Sequence, residues 1–126
     1  MKTKVLMVLA LATCAAALSV PVQAHHAVGS VYESKDITVK GVVTNLEWVN
    51  PHSILAVDVK NASGGVEQWY AEILPPAEMA RAGWTKNSIK PGDEVTLTGR
   101  PGKNAQKILW LQYLVTADGR KLGRKP

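Results

Sequence analysis

The sequence holds no phenylalanine, three histidines and a single cysteine in 126 residues. That cysteine, Cys14, lies in an apolar run from Val5 to Val20, which follows the basic start Met1-Lys2-Thr3-Lys4. The run is 16 residues long and broken by Thr13 and Ser19. It falls short of the ~20 apolar residues that a helix needs to span a bilayer. Val22-Gln23-Ala24 then offers small residues where a signal peptidase reads. Residues 1–24 therefore read as a secretory signal peptide cut after Ala24. Cys14 leaves with it. Residues 25–126 contain no cysteine, which excludes disulfides, thiolate metal sites and a cysteine nucleophile. Leu11-Ala12-Thr13-Cys14 loosely resembles a lipoprotein box. Thr13 before the cysteine and the apolar stretch after it argue against a lipid anchor. Export without disulfides fits a bacterial periplasm.

A cationic face is also missing. The formal charge of +5 loses Lys2 and Lys4 with the signal, leaving +3. Arg120, Lys121, Arg124 and Lys125 crowd the end of the chain. Residues 25–119 carry nine Lys/Arg against ten Asp/Glu, a nearly neutral body. Phosphate backbones require a cationic groove, so no nucleic-acid partner is expected. The basic cluster reads as a solubilising tail.

The apolar pattern that is present belongs to strands. Residues 27–35 are mixed and read as extended. From Asp36, Ile37, Val39 and Val43 share one face, and the phase then slips before Leu46 and Trp48. A period of two that slips by one residue predicts a β-bulge at Val43 to Asn45 in a long, bent first strand. Asn50-Pro51-His52-Ser53 is turn chemistry. A second strand over 53–60 faces Leu55, Val57 and Val59 inward, and Asn61-Ala62-Ser63-Gly64-Gly65 turns the chain. In the third strand, 66–73, Trp69, Ala71 and Ile73 alternate with Gln68, Tyr70 and Glu72. Pro75-Pro76 opens a short helix that Gly83 ends, with Trp84 packing back over its last turn. A fourth strand covers 93–100. A fifth, 107–115, is apolar on both faces and reads as well buried.

Three strands, a helix and two strands predict an all-β fold with one short helix: a five-stranded OB-like Greek-key barrel. An open β-sandwich is the rival, but it gives the helix no obvious place. The expected organisation is a signal peptide at 1–24, an N-terminal extended segment at 25–35, the OB-like β-barrel domain at 36–119 and a basic tail at 120–126. After signal cleavage no transmembrane segment is expected.

His25-His26, Asn50-Pro51-His52, Gly83-Trp84 and Pro91-Gly92-Asp93 occur in this order along the chain. In this the chain resembles a family of small, exported bacterial proteins of unknown function. The resemblance covers nearly all of residues 25–126 and implies export and a small β-barrel. It implies no reaction.

All three histidines fall in two of these motifs. Cleavage after Ala24 makes His25 the first residue, with a free α-amine of pKa ~7.7–8.0 that gives up its proton readily to a competing metal. Amine and imidazole chelate one ion, and one further imidazole gives a T-shaped nitrogen set suited to Cu(II). His52 is the remaining histidine for that place. His25 and His26 could also chelate locally, without the fold. The candidate metal ligands for Cu(II) or Zn(II) are thus His25, His26 and His52. The competing reading is a metal-free barrel that binds a small ligand or a protein partner, with His25-His26 a frayed terminus and His52 a turn residue.

Catalytic sets are not evident. Ser53 follows His52, but neighbours on a strand point to opposite faces. Ser88 has no adjacent base. Glu47, Asp58 and Glu72 read as carboxylates on solvated strand faces. The chemistry such a nitrogen set would support is copper oxidation. Among the aromatics, Trp48, Trp69 and Trp110 read as core, and Tyr32 and Tyr70 as candidate surface rings for stacking.

Overall fold

A computed structural model describes residues 27–124. The expected signal peptide at 1–24, His25, His26 and the last two residues lie outside the described residues. The elements are α1 (Ala27–Val31), β1 (Ile37–Glu47), β2 (Ile54–Lys60), β3 (Val66–Glu72), α2 (Pro76–Arg81), β4 (Glu94–Pro101), β5 (Ile108–Thr116) and β6 (Lys121–Gly123).

The strands form one sheet in the order β3-β2-β1-β4-β5-β6, and a β3–β5 pairing closes the first five into a barrel. All neighbours are antiparallel except β3 and β5, which run parallel over Tyr70↔Ile108, Ala71↔Leu109 and Glu72↔Trp110. This is the OB-like Greek-key barrel that the strand order predicts.

β1 works as the hinge strand. Its first half pairs with β4, Ile37↔Gly99 through Val42↔Glu94. Its second half pairs with β2, and that register shifts between Val43 and Asn45, where the sequence phase slips. The extra residue bends the strand so that it serves both sides of the barrel. Gly41 sits at the crossing. A Cβ there would lie 2.7 Å from the Asp58 main-chain oxygen, so only glycine lets β1 and β2 approach this closely.

The core is filled by Val43, Leu55, Val57, Ala71, Ile73, Val95, Leu97, Leu109, Leu111 and Leu114 from the barrel. Met79, Trp84 and Ile89 join it from α2 and the connector after it. α2 ends as its residues demand. Gly83 takes φ 90°, the Trp84 N–H reaches the Met79 carbonyl at 3.0 Å and the Gly83 N–H reaches that of Ala80 at 3.1 Å. This double bond satisfies two end carbonyls and turns Trp84 inward over Met79. Trp84 is 2% exposed, and its indole N–H donates to the Gly123 carbonyl at 2.9 Å, tying the helix to β6.

Four expectations need correcting. Residues 27–31 form a helix, so the segment before β1 is not simply extended. Residues 121–123 form a sixth strand where a plain tail was expected. β5 is not buried on both faces: Leu109, Leu111 and Leu114 point in, while Ile108, Trp110 and Gln112 are half-buried. Trp48, Trp69 and Trp110 are all half-buried, with Trp48 and Trp69 packed on the core margin, and the one fully buried indole is Trp84.

Gly41→Ala is expected to cost about 1–3 kcal/mol, because the new methyl group meets backbone that cannot rotate away. Urea denaturation checks this: the midpoint falls while the m-value stays unchanged.

Candidate functional site

His52 leads into β2 just after the Asn50–Pro51 turn. Ser53 beside it is fully buried, and its main chain bonds to Leu74 and Ile73. That pairing fixes the start of β2 and leaves the His52 side chain 35% exposed on the outer side. The β2–β3 register sets Glu72 opposite Ile54, two residues on from His52 and on the same strand face. The β3–β5 register sets Trp110 beside Glu72. Three strands thus bring His52, Glu72 and Trp110 together at the barrel seam.

Glu72 holds the group together. His52 Nδ1 pairs with Glu72 Oε1. The Tyr32 hydroxyl donates to the other oxygen, Oε2, at 2.5 Å. The carboxylate is 27% exposed, so solvent covers little of it, and each oxygen has its own donor. Trp110 is the floor. His52 meets it edge-on with ring centroids 5.3 Å apart, and Tyr32 packs against it at 5.7 Å. The Arg124 guanidinium lies over the same ring at 3.8 Å.

Arg124 fills a gap in the sheet. β3 leaves β5 after Trp110, and β6 takes up the same edge from Tyr113. Across the gap Arg124 donates from Nε to the Leu111 carbonyl and from a terminal nitrogen to that of Ile73 at 2.9 Å, while its own N–H reaches the Gln112 carbonyl at 3.1 Å. Burial pulls the guanidinium down to about 10, with Glu72 opposing the fall. It remains cationic at neutral pH.

Tyr32 roots the N-terminal arm. It is 6% exposed and bridges to Gly102 as an isolated β-pair. The Glu33 N–H donates to the Pro101 carbonyl at 2.8 Å, and the Lys103 N–H donates to that of Val31 at 2.9 Å. Lys103 Nζ adds a bond to the Gly29 carbonyl at 2.7 Å. The arm is therefore stitched to the β4–β5 turn, with its phenol on the carboxylate that holds His52.

Of the sequence-predicted ligands, His52 stands in this cluster; His25 and His26 lie outside the described residues. Among the described residues, no three His, Cys, Asp or Glu side chains gather as a metal set. Glu72 is not on a solvated face, Tyr32 is not a surface ring and Trp110 is not core; Tyr70, at 45% exposed, does lie on the surface. Arg124, read as tail, is part of the seam. The outward phase of Glu72 in β3 was visible in the sequence. Its partners come from elements 20 and 40 residues away, which no local pattern reports.

The chemistry on offer is that of an oriented imidazole. A neutral imidazole whose Nδ1–H is held by a carboxylate has its Nε2 lone pair left over for another partner. Among the described residues no helix is long and apolar enough to cross a membrane.

The Tyr32 phenol is held neutral far above its ordinary range, first by burial and then by its bond to Glu72. A proton held more tightly in the folded chain gives stability that is complete below the unfolded value of ~10 and is lost as pH rises beyond it. Alkaline titration is expected to show one phenolate signal that appears only with unfolding. Tyr32→Phe is expected to remove that signal and flatten the alkaline loss of stability.

A model of a family of unknown function, DUF6152, matches residues 12–109 of the chain. No curated protein matches it.

Proposed function

The chain belongs to DUF6152, a family of unknown function, and from its own residues we propose that it is an exported periplasmic binding or accessory module. The module carries a Cu(II) or Zn(II) site made by His25, His26 and His52. The observation that supports this reading is the His52–Glu72 pair, with the Nε2 atom left for a ligand. Carboxylate–histidine pairs of this kind orient metal-binding imidazoles and raise their basicity.

Signal cleavage after Ala24 supplies the other donors. A free amine and the His25 imidazole chelate through one residue, and His26 adds an imidazole or a main-chain nitrogen. The set is rich in nitrogen and has no thiolate, which favours Cu(II) over Zn(II). The role is binding: the residues around His52 hold a ligand in place and supply no nucleophile.

The test is calorimetric titration of Cu(II) and Zn(II) into the processed protein starting at His25. The expected result is one tight Cu(II) site per chain. In His52→Ala its affinity drops to that of a free His-His peptide, and in a chain with residues added before His25 it weakens. Wild-type affinity no better than that peptide, and indifferent to His52→Ala, overturns the reading.

A further inference from the structure

β3 keeps one open edge. Its pairing with β5 covers Tyr70, Ala71 and Glu72, so Val66 to Trp69 have β2 on one side and no strand on the other. The hydrogen-bond phase says which groups face that side. The Asn61 N–H reaches the Gly65 carbonyl at 2.9 Å, and the Ile73 N–H reaches that of Ser53 at 2.9 Å. The odd-numbered residues of β3 therefore bond to β2. The Tyr70 N–H reaches the Lys107 carbonyl at 3.0 Å, so the even-numbered ones turn the other way. Val66 and Gln68 each present an N–H and a carbonyl to the open edge, and among the described residues these groups have no partner.

β5 does not reach back to cover them. A continued parallel register would set Gln106 beside Gln68, but the chain there is folded into a turn. The Gln106 N–H bonds to the Lys103 carbonyl, and Asn104 and Ala105 take φ 56° and 57°. On the outer face the edge is flanked by Val66, 62% exposed, and Tyr70, 45% exposed. On the opposite face Lys107 pairs with Glu67 at 2.9 Å, its ammonium 5.2 Å from the centre of the Trp69 ring. Unpaired main-chain groups beside exposed apolar side chains are a template for another strand.

We propose that the Val66–Trp69 edge of β3 pairs antiparallel with the same edge of a second copy of the chain. The proposal goes beyond the metal reading and does not depend on it. A two-fold axis through Glu67 sets Val66 opposite the partner's Gln68, and Gln68 opposite the partner's Val66. Each open N–H of one edge then meets an open carbonyl of the other. Trp69 falls opposite the partner's Gly65, which has no side chain to obstruct it. Charge points to a second copy. The two carboxylates that meet at the axis would repel alone, but each arrives with its own ammonium, so the axis joins two neutral pairs that can exchange partners.

The experiment is sedimentation velocity at rising concentration on the chain starting at His25, with EDTA present to remove metal bridges. The pairing is small, so a reversible dimer is expected with a Kd between about 1 μM and 1 mM. At about nine-tenths dimer the Val66 and Gln68 amides are expected to exchange roughly tenfold more slowly than in the monomer, because only the remaining monomer exposes them. The Glu67 and Trp69 amides, already bonded to β2, are expected to keep their rates. Gln68→Pro removes an edge donor without removing a bond to β2, and Val66→Lys places like charges near the axis. Each is expected to raise Kd roughly tenfold or more. Val66→Lys decides where Gln68→Pro disturbs the fold. Glu67→Lys and Lys107→Glu are each expected to be monomeric alone, and their equimolar mixture to sediment as a dimer. A chain that stays monomeric to about 1 mM overturns the inference. So does a dimer whose Kd is unmoved in both Val66→Lys and Gln68→Pro, or a mixture that stays monomeric. Val66 and Gln68 amides that exchange slowly in the monomer overturn it too, since the edge is then covered within the chain.

Discussion

Closure of the barrel between β3 and β5 is the constraint on which the rest of the structure depends. It is the shortest of the pairings that close the barrel, three residue pairs, and it joins strands that run parallel. Every other barrel neighbour is an antiparallel pair with a longer register. Closing a sheet on itself removes both edges, but the last seam has to form where the strands already diverge with their twist. β3 leaves β5 after three pairs, and two β5 carbonyls, those of Leu111 and Gln112, face the gap before β6 arrives. Arg124 satisfies both and reaches the Ile73 carbonyl across the seam. A half-buried guanidinium is costly, as its depressed pKa records. The guanidinium's bonds to the Leu111, Ile73 and Glu72 carbonyls and the face of Trp110 offset that cost.

The polar cluster grows out of the same seam. Glu72 is the last residue of β3 and Trp110 its partner in β5, so the point where the barrel closes is also where a carboxylate meets a large ring. A carboxylate with little water around it needs a donor for each oxygen. His52 supplies one from the entry to β2, and Tyr32 supplies the other from the arm. The phenol, kept neutral first by its burial, in turn gains a partner. Each group answers a demand created by the one beside it. For that reason no single pair accounts for the cluster.

What the sequence made legible was local. The phase slip in β1 marks its bulge, because a period of two cannot be interrupted without an extra residue. Gly83-Trp84 marks the end of α2, because a left-handed residue followed by an apolar one is what that cap requires. Asn61 marks the first hairpin, and its side-chain oxygen accepts the Ser63 and Gly65 amides in the turn. What stayed hidden depended on the seam. Trp110 sits in an apolar run, and only the β3–β5 pairing shows that its side of β5 meets Tyr32, His52 and Arg124 instead of the core. Tyr32 is separated from Glu72 by 40 residues. Arg124 lies in a run of basic residues, and the carbonyls it reaches are invisible to composition. His52 was singled out for its residue type, yet the feature that makes it a ligand candidate, the carboxylate behind it, was read as solvated.

That dependence bears on how a binding site could sit on so small a barrel. Among the described residues the interior is filled by aliphatic side chains and Trp84. A site on the outside relies on flexible side chains, which usually hold a ligand weakly because they lose entropy on binding it. The seam avoids this. Its residues are already fixed by the requirement that the barrel close: Glu72 and Trp110 by register, Arg124 by the open carbonyls, Tyr32 by the β4–β5 turn. His52 therefore rests against Glu72 and Trp110, whose places are set by strand register. On the proposed reading the arm completes the site only after processing has freed its amine. On that same reading the fold supplies His52 with its carboxylate, and processing would supply the amine.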